Sequence, residues 1–334
     1  MILKYHLLAF LTGFVLDLFF GDPVWIYHPV RLVGNFISFM EKRGNKEEFS
    51  DEKRYKNGVL LVILTIAVTA AFVGIILFMC YFVSYICGII AEAFLTWTSL
   101  ALRSLRTESA KVGDALEKGD GEKAKKALSM IVGRDTETLD EEGIIKAAVE
   151  TVAENTSDGV IAPMIYLAVG GPILGWIYKA INTMDSMVGY HSDKYEFYGK
   201  AAARLDDAAN FIPARISALF MIISAFVLHF LDKSISGFGA ARIFVRDRYN
   251  HKSPNSAQTE SACAGALGIR LGGDAYYFGK LVKKDYIGDG LRRPEIDDIR
   301  RSHALLYMTS FICFLILSGI LNLILNTLYA SLIV

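Results

Sequence analysis

The sequence predicts an all-α protein, a polytopic helical bundle embedded in a membrane. Hydrophobic residues make up 53% of the 334 positions, and the mean hydropathy is +0.36. A membrane-spanning helix needs about 20 mostly apolar residues. Five regions supply them, whereas strand patterns are too sparse to indicate a barrel. The apolar regions are residues 2–20, 58–102, 160–181, 212–231 and 304–334.

Two of these regions depart from a simple span. Region 58–102 is too long for one helix and is interpreted as two spans that meet near residues 80–84. Region 160–181 is interrupted by Gly170-Gly171-Pro172, which predicts a kinked or a re-entrant helix. We therefore expect a single integral membrane domain over residues 1–334 that crosses the cell membrane several times.

The longer polar stretches differ in character. Residues 103–159 are expected to form a helical insertion, with a turn at Gly119-Asp120-Gly121 and a later helix that begins near Asp140. Residues 232–303 are expected to form a polar loop. The formal net charge of +0 argues against a nucleic-acid partner bound through bulk charge.

The first candidate block follows the first apolar helix and contains Gly21-Asp22-Pro23, His28 and Arg31. Gly21 and Asp22 favour a turn before Pro23. Arg31 could hold a carboxylate or a phosphate through two parallel hydrogen bonds. The alternative is a turn at the membrane surface in which Arg31 contacts lipid headgroups.

A second block contains Arg134 and Asp135, followed by Glu150, Glu154 and Asp158. The three acids are four residues apart, so they share one face if the helix continues through them. Their carboxylates would repel one another unless a cation bound there, and Mg²⁺ accepts carboxylates together with substrate phosphates. The alternative is a solvated acidic helix face.

The third block lies between two apolar regions, in residues 182–215. Ionisable residues at membrane depth are costly and indicate function by default. The alternative is a set of structural ion pairs between helices. Its candidate residues are Asp185, Arg204, Asp206, Asp207, Asn210 and Arg215.

The fourth block combines polar residues with the small residues of segment 261–273, which permit close packing or close approach of a large ligand. Taken alone, it would be read as a helix cap before a packed helix. The chain contains no P-loop, GxGxxG or HExxH motif and no recognisable Ser-His-Asp arrangement. The candidate residues of this block are Asn255, Ser256, Gln258 and Glu260.

In this order, the four blocks resemble the CobD/CbiB family of cobalamin biosynthesis, the adenosylcobinamide-phosphate synthases. The segments that carry the resemblance are GDPVWIYHPVRLVG at 21–34, GRDTETLDEEGI through ENTSDGVIAP at 133–163, NTMDSMVGY with ARLDDAANFIPAR at 182–215, and SPNSAQTESACAGALGIRLGG at 253–273. The resemblance implies ATP-dependent amide ligation of adenosylcobyric acid with aminopropanol or its O-phosphate.

This reaction suggests roles for the candidate residues. Mg²⁺ would bind Glu150, Glu154 and Asp158, and ATP would be the co-substrate. The amine proton would pass to Asp206 or Asp207, with Asp185 in the same catalytic group. The remaining candidates form the substrate- and phosphate-binding set: His28, Arg31, Arg134, Asp135, Arg204, Asn210, Arg215, Asn255, Ser256, Gln258 and Glu260.

The expected partners are the corrinoid substrate, the amine, the lipid bilayer and other membrane enzymes of cobalamin assembly. Two other classes of function compete with the ligase. A transporter would also contain broken helices and intramembrane charges. A non-catalytic membrane sensor could share the fold, although it would not require polar residues in four separate blocks.

Overall fold

A computed structural model describes residues 2–23, 27–190, 192–277 and 279–333. Within them, six helices are long and apolar enough to cross a membrane. Helices satisfy their own backbone hydrogen bonds, which is what an apolar environment without water demands. The protein is a multi-pass membrane protein, and the predicted all-α class is confirmed.

The helices in the first half of the chain begin with α1, Ile2–Phe20, and α2, Val30–Gly44. The following elements are α3 Asp51–Val83, α4 Tyr85–Trp97, α5 Leu102–Glu117, α6 Gly121–Ser129 and α7 Glu141–Asn155, then a π-helical segment, Thr156–Ile161. In the second half, α8 is Ala162–Val188, α9 Lys200–Leu228, α10 Gly237–Asp247, α11 Ser256–Leu267 and α12 Asp297–Ile333.

The chain divides into two compact units, each with its own hydrophobic core. The first unit comprises Met1–Ala101, Ala162–Asn210 and Phe314–Val334. Its core includes Ile37, Leu61 and Trp176. The second unit comprises Leu102–Ile161 and Phe211–Cys313, with a core that includes Leu128 and Ile145.

Region 58–102 contains a helix boundary where the sequence predicted one. Helix α3 ends at Val83, and Ser84 is extended, with φ −168° and ψ 156°. The Ser84 hydroxyl accepts a hydrogen bond from the Cys87 amide at 3.1 Å, which caps α4. Helix α3 also starts at Asp51, seven residues before the apolar region, because Ser50 caps its first turn.

The predicted interruption at residues 170–172 is a kink within α8. Gly170 has φ −138° and ψ 22°, and Gly171 has φ 62° and ψ −163°, with Pro172 following. The Gly171 angles fall in a region that is essentially restricted to glycine. A proline within a helix also removes one backbone donor. The kink is therefore determined by the local sequence.

A buried polar cluster from α1, α3 and α4 lies beside this kink. Glu92 is 6% exposed. One of its oxygens lies 2.6 Å from His6 Nδ1, and the other accepts the Tyr81 hydroxyl at 2.5 Å. A Cβ placed on Gly171 would lie 3.6 Å from Glu92 Oε1. The first unit thus contains ionisable groups that the sequence analysis did not select.

Residues 232–303 are more ordered than the polar loop that we predicted. They contain α10, α11 and two short antiparallel pairs. Strand β1, Leu271–Gly272, pairs with β4, Tyr286–Ile287, and β2, Ala275–Tyr277, pairs with β3, Lys280–Val282. The loop prediction was wrong here because strands of two or three residues leave no recognisable periodicity. Helix α12 also begins at Asp297, before the predicted residue 304.

Replacing Gly171 by alanine should destabilise the first unit. A non-glycine residue in this backbone conformation costs about 1–3 kcal/mol. Thermal unfolding in detergent should show a lower Tm for Gly171→Ala. The control is Gly319→Ala in α12, where an added Cβ meets no described heavy atom within 4 Å. Equal Tm values for the two variants would contradict the assigned strain.

Candidate functional site

Helix α7 contributes two carboxylates to a buried cluster in the second unit. Its N-cap, Asp140, accepts a hydrogen bond from the Gly143 amide at 2.8 Å, which fixes the start of the helix. Glu150 and Glu154 then lie one turn apart. Glu150 is 4% exposed, and its two oxygens accept hydrogen bonds from Arg134 and from the Gly272 amide. Its charge is therefore compensated within the protein.

Helix α11 faces α7 through a specific hydrogen bond. The Ser256 hydroxyl donates to Glu154 Oε1 at 2.8 Å. This bond fixes the register of the two helices, and Glu260 follows Ser256 by one turn on the same face of α11. The hydrogen bond between residues 154 and 256 thereby brings the second and fourth sequence blocks into one site.

The loop that carries Arg134 is held by the short strands. The Asp135 amide donates to the Tyr276 carbonyl at 2.9 Å, and Asp135 Oδ2 accepts from the Gly279 amide at 2.8 Å. Asp135 thus positions the loop, and Arg134 reaches Glu150 from it. Burial opposes the charge of Arg134, but the neighbouring Glu150 carboxylate raises the pKa of the guanidinium overall.

Glu260 is the most strongly perturbed acid of this cluster. Burial raises the pKa of its carboxyl well above the usual value, and the negative charges of Glu154 and Glu150 raise it further. Lys284 and Arg134 act in the opposite direction. A carboxylate in these surroundings repels phosphate, so Glu260 suits a cationic ligand better than the phosphate-binding role we had assigned to it.

Two basic residues that the sequence analysis missed belong to the same surroundings. Burial lowers the pKa of His251, although the Glu154 carboxylate acts against this shift. Lys284 lies close enough to affect both His251 and Glu260, and its ammonium donates to the Tyr277 hydroxyl at 2.7 Å. No sequence signal identified them, because isolated basic residues in a polar stretch are usually solvated.

Among the described residues, no three His, Cys, Asp or Glu side chains are arranged to hold a metal ion. Glu150 is committed to Arg134 and Gly272. Asp158 lies in the π-helical segment, beyond the end of α7. The wider turn of a π-helix shifts it out of the α-helical spacing on which the expected three-carboxylate site depended.

The other predicted residues of the second unit have structural contacts. Arg215 Nη1 donates to Asn255 Oδ1 at 3.3 Å and to the Phe211 carbonyl at 2.6 Å. The Gln258 amide nitrogen donates to the Arg248 carbonyl at 3.1 Å and to the Pro254 carbonyl at 3.0 Å. Gln258 therefore stabilises the start of α11, which agrees with the helix-cap alternative for this residue.

The first unit contains a separate polar cluster between α8 and α9. The Tyr178 hydroxyl donates to Asn210 Oδ1 at 2.8 Å, and Asn210 Nδ2 donates to Asp206 Oδ2 at 3.0 Å. Asn182 Nδ2 lies 3.5 Å from the other oxygen of Asp206. Asp206 is 7% exposed, and Asp185 is near enough to interact with it electrostatically. Asp206 is therefore the centre of this cluster.

Sequence reasoning selected Asp206 and Asn210 but missed Tyr178 and Asn182. Both missed residues lie on α8, in or beside an apolar region. A tyrosine in an apolar helix is usually a core residue, so its hydroxyl contact could be identified only after α8 and α9 were placed together. Asp207 is half-buried on α9 beside Asp206.

The basic candidates of the first unit lie outside this hydrogen-bonded cluster. Arg204 is exposed, and its side chain has no hydrogen bond or ion pair among the described residues. His28 Nε2 lies 3.2 Å from Asp22 Oδ1, and its Nδ1 accepts from the Val30 amide at 3.2 Å. Arg31 is exposed, with its guanidinium 5.7 Å from the centre of the Tyr27 ring.

The chain can be compared with known proteins once these polar clusters are placed. The sequence profile of the CobD/Cbib protein family matches residues 10–306. The chain belongs to the CobD/CbiB family. No solved structure matches the chain.

Three CobD relatives illustrate the extent of this similarity, each named cobalamin biosynthesis protein CobD. The protein of Clostridium perfringens is 46% identical over 92% of this chain and 95% of its own length. That of Listeria monocytogenes is 43% identical over 94% and 98%, respectively. That of Geobacter metallireducens is 46% identical over 92% and 93%. The similarity thus extends through both units.

The buried Arg134–Glu150 pair should show strong energetic coupling. Removing one partner of a buried ion pair leaves a charge uncompensated and costs about 3–5 kcal/mol. Arg134→Met and Glu150→Gln should each lower the free energy of unfolding by this order. The double variant should lose much less than the sum of the two single variants.

Chemical unfolding in detergent measures this cycle. The matched control is the surface ion pair of Glu122 and Lys125, in which the Glu122 side chain is 88% exposed. Exposed pairs contribute about 0–1 kcal/mol, so substitutions there should have little effect. Additive losses at Arg134 and Glu150 would show that the pair does not stabilise the second unit.

Proposed function

We propose that this CobD/CbiB protein acts in cobalamin biosynthesis as an amide-forming ligase. It would join a side-chain carboxylate of adenosylcobyric acid to the amine of aminopropanol O-phosphate, or of aminopropanol itself. The observation that carries the proposal is the second-unit cluster, where buried carboxylates and basic side chains lie together. An amine that also bears a phosphate presents the complementary pair of charges.

The chemistry requires activation of the corrinoid carboxylate. One of its oxygens would attack the γ-phosphorus of ATP, forming an acyl phosphate and releasing ADP. The amine nitrogen would then attack the acyl carbon, and the carbon–oxygen bond to phosphate would break. Basic side chains favour such steps by stabilising charge on the phosphoryl oxygens, and a base must accept a proton from the amine.

Several cations could stabilise these phosphoryl oxygens. Arg204 is exposed, and its side chain is not engaged by described residues, so its two-pronged guanidinium remains available for phosphate. Arg134 is instead paired with Glu150, which argues against a direct phosphate contact. Lys284 and His251 are further candidates because they lie near the same carboxylates.

Magnesium would enter as the counter-ion of ATP. Glu150 is engaged by Arg134 and Gly272, and one oxygen of Glu154 by Ser256, so Asp158 is the member of the expected set that we assign to Mg²⁺. Mg²⁺ commonly takes one or two carboxylates and completes its octahedron with water and substrate phosphate. When bound, it would neutralise phosphate charge, a mode that does not require three carboxylates from the protein.

Asp206 is the best candidate for the base among the three aspartates of the first unit. It is buried and held in place by Asn210 and Asn182. Asp185 and Asp207 then modulate its electrostatic surroundings. Such a fixed carboxyl is suited to accept a proton in a defined direction.

A transport function remains the principal alternative because one observation favours it. The buried group of His6, Tyr81 and Glu92 lies beside the break in α8. Broken helices and intramembrane ionisable groups are common features of transporters. The ligase accounts better for the second-unit cluster, which lies largely outside the apolar regions.

A reconstituted reaction should separate the two functions. The purified protein in detergent is incubated with adenosylcobyric acid, ATP, Mg²⁺ and aminopropanol O-phosphate, and the amide is measured by mass spectrometry. We expect product that requires ATP and releases ADP. Corrinoid flux into sealed vesicles without any amide product would instead support transport.

Asp206→Asn should reduce kcat strongly while its amide oxygen still accepts the hydrogen bond from Asn210. General base catalysis contributes about 10²–10⁴-fold, so a loss of at least about 100-fold in kcat is expected. The control is Asp51→Asn, an exposed residue in the first turn of α3. If Asp206→Asn turned over like the control, the base would have to be assigned to another group.

A further inference from the structure

The proposed reaction gives no role to the carboxyl group of Glu260, which lies where α7 and α11 meet. Glu260 is 6% exposed. No hydrogen-bond or ion-pair partner for its side chain occurs in the described part of the chain. Glu260 is therefore a nearly buried acid that no described side chain or backbone group pairs with.

The neighbouring side chains give this position a negative character. Glu150 and Glu154 both interact electrostatically with Glu260. Arg134 compensates Glu150, whereas Glu154 receives a neutral hydroxyl from Ser256. Like charges in a buried site repel one another unless a cation is present. A cation bound beside Glu260 and Glu154 would relieve this repulsion.

The geometry favours an ammonium over a divalent metal. Both oxygens of Glu150 and one oxygen of Glu154 are already engaged. The described residues provide no group of three potential metal-ligating side chains. Mg²⁺ demands near-octahedral oxygen coordination, whereas a primary ammonium needs acceptors for only three donors. Two carboxyl groups can satisfy most of them.

Basic groups lie on the other side of the same carboxyls. Lys284 is close enough to stabilise the charged form of Glu260 and to interact with His251. Lys284 also donates to the Tyr277 hydroxyl at 2.7 Å, and burial lowers the pKa of His251. Both side chains could interact with an anionic group carried by the same ligand.

We propose that Glu260, together with Glu154, binds the primary ammonium of the amine substrate, with Lys284 and His251 next to its phosphate. This inference rests on the proposed ligase function and specifies where its amine binds. Glu260 is assigned to recognition of the ammonium form. Removal of the proton before attack is a separate step that is not assigned to Glu260.

Isothermal titration calorimetry with two phosphate esters tests the inference on the purified full-length protein. Aminopropanol O-phosphate carries the amine, and propan-2-yl phosphate lacks it. Glu260→Gln should weaken binding of the amino ester by at least about tenfold, as expected for loss of a charge-assisted hydrogen bond. Binding of propan-2-yl phosphate should be unchanged. Glu137→Gln, at an exposed position of the loop before α7, is the matched control and should bind both esters like the wild type.

A measurement on the wild-type protein covers the case in which Glu260→Gln does not fold. Burial raises the pKa of Glu260, so binding of an ammonium should release a proton from the carboxyl. Titrations in buffers of different ionisation enthalpy should show more proton release with aminopropanol O-phosphate than with propan-2-yl phosphate. Equal release for the two esters would contradict the inference.

The outcomes distinguish this inference from the proposed function. If the wild type forms amide and Glu260→Gln keeps its KM for the amine, the ligase stands and the ammonium site is wrong. If no amide forms but Glu260→Gln selectively loses the amino ester, the ammonium site stands without the ligase. Equal loss of both esters, or Mg²⁺ binding that depends on Glu260 without any amine dependence, would overturn the ammonium assignment.

Discussion

The absence of water within a membrane constrains every other feature of this protein. Backbone amides and carbonyls in the apolar regions must find partners within their own segment, which makes each region a helix. Departures from helical geometry are then tolerated only where neighbouring groups satisfy the backbone donors and acceptors that the break leaves unpaired. The break in α8 illustrates this, because Gly171 and Pro172 lie beside the hydrogen-bonded group of Glu92, His6 and Tyr81.

The same constraint governs the polar side chains. In the first unit, Asp206 is buried with amide donors from Asn210 and Asn182, and Tyr178 completes the chain of hydrogen bonds. In the second unit, the Glu150 charge is matched by Arg134. Buried charges persist when they are paired and hydrogen-bonded. Glu260 differs from these residues because no described group pairs with it, and a bound cation would supply a partner.

Several residues of the candidate site suited ligand binding in the sequence and have structural contacts in the fold. Arg134 and Glu150 suited phosphate and metal binding when considered separately, yet they contact each other and stabilise the loop before α7. Ser256 suited ligand binding or a helix cap, and its hydroxyl fixes α11 against Glu154. Residues that position the site thus lie directly beside those available to a ligand. Within the CobD/CbiB family, substitutions at such positions should be interpreted with both roles in mind.

The sequence by itself determined the features that depend on neighbouring residues. The all-α class, the helix boundary at Ser84 and the kink at residues 170–172 follow from apolar length, a serine cap and a Gly-Gly-Pro segment. It also selected Glu150, Glu154, Asp206 and Glu260. Only the tertiary structure decided their partners, because the contacts of Glu154 with Ser256 and of Glu150 with Gly272 join residues more than 100 positions apart. Such pairings depend on how helices pack, which local periodicity does not encode.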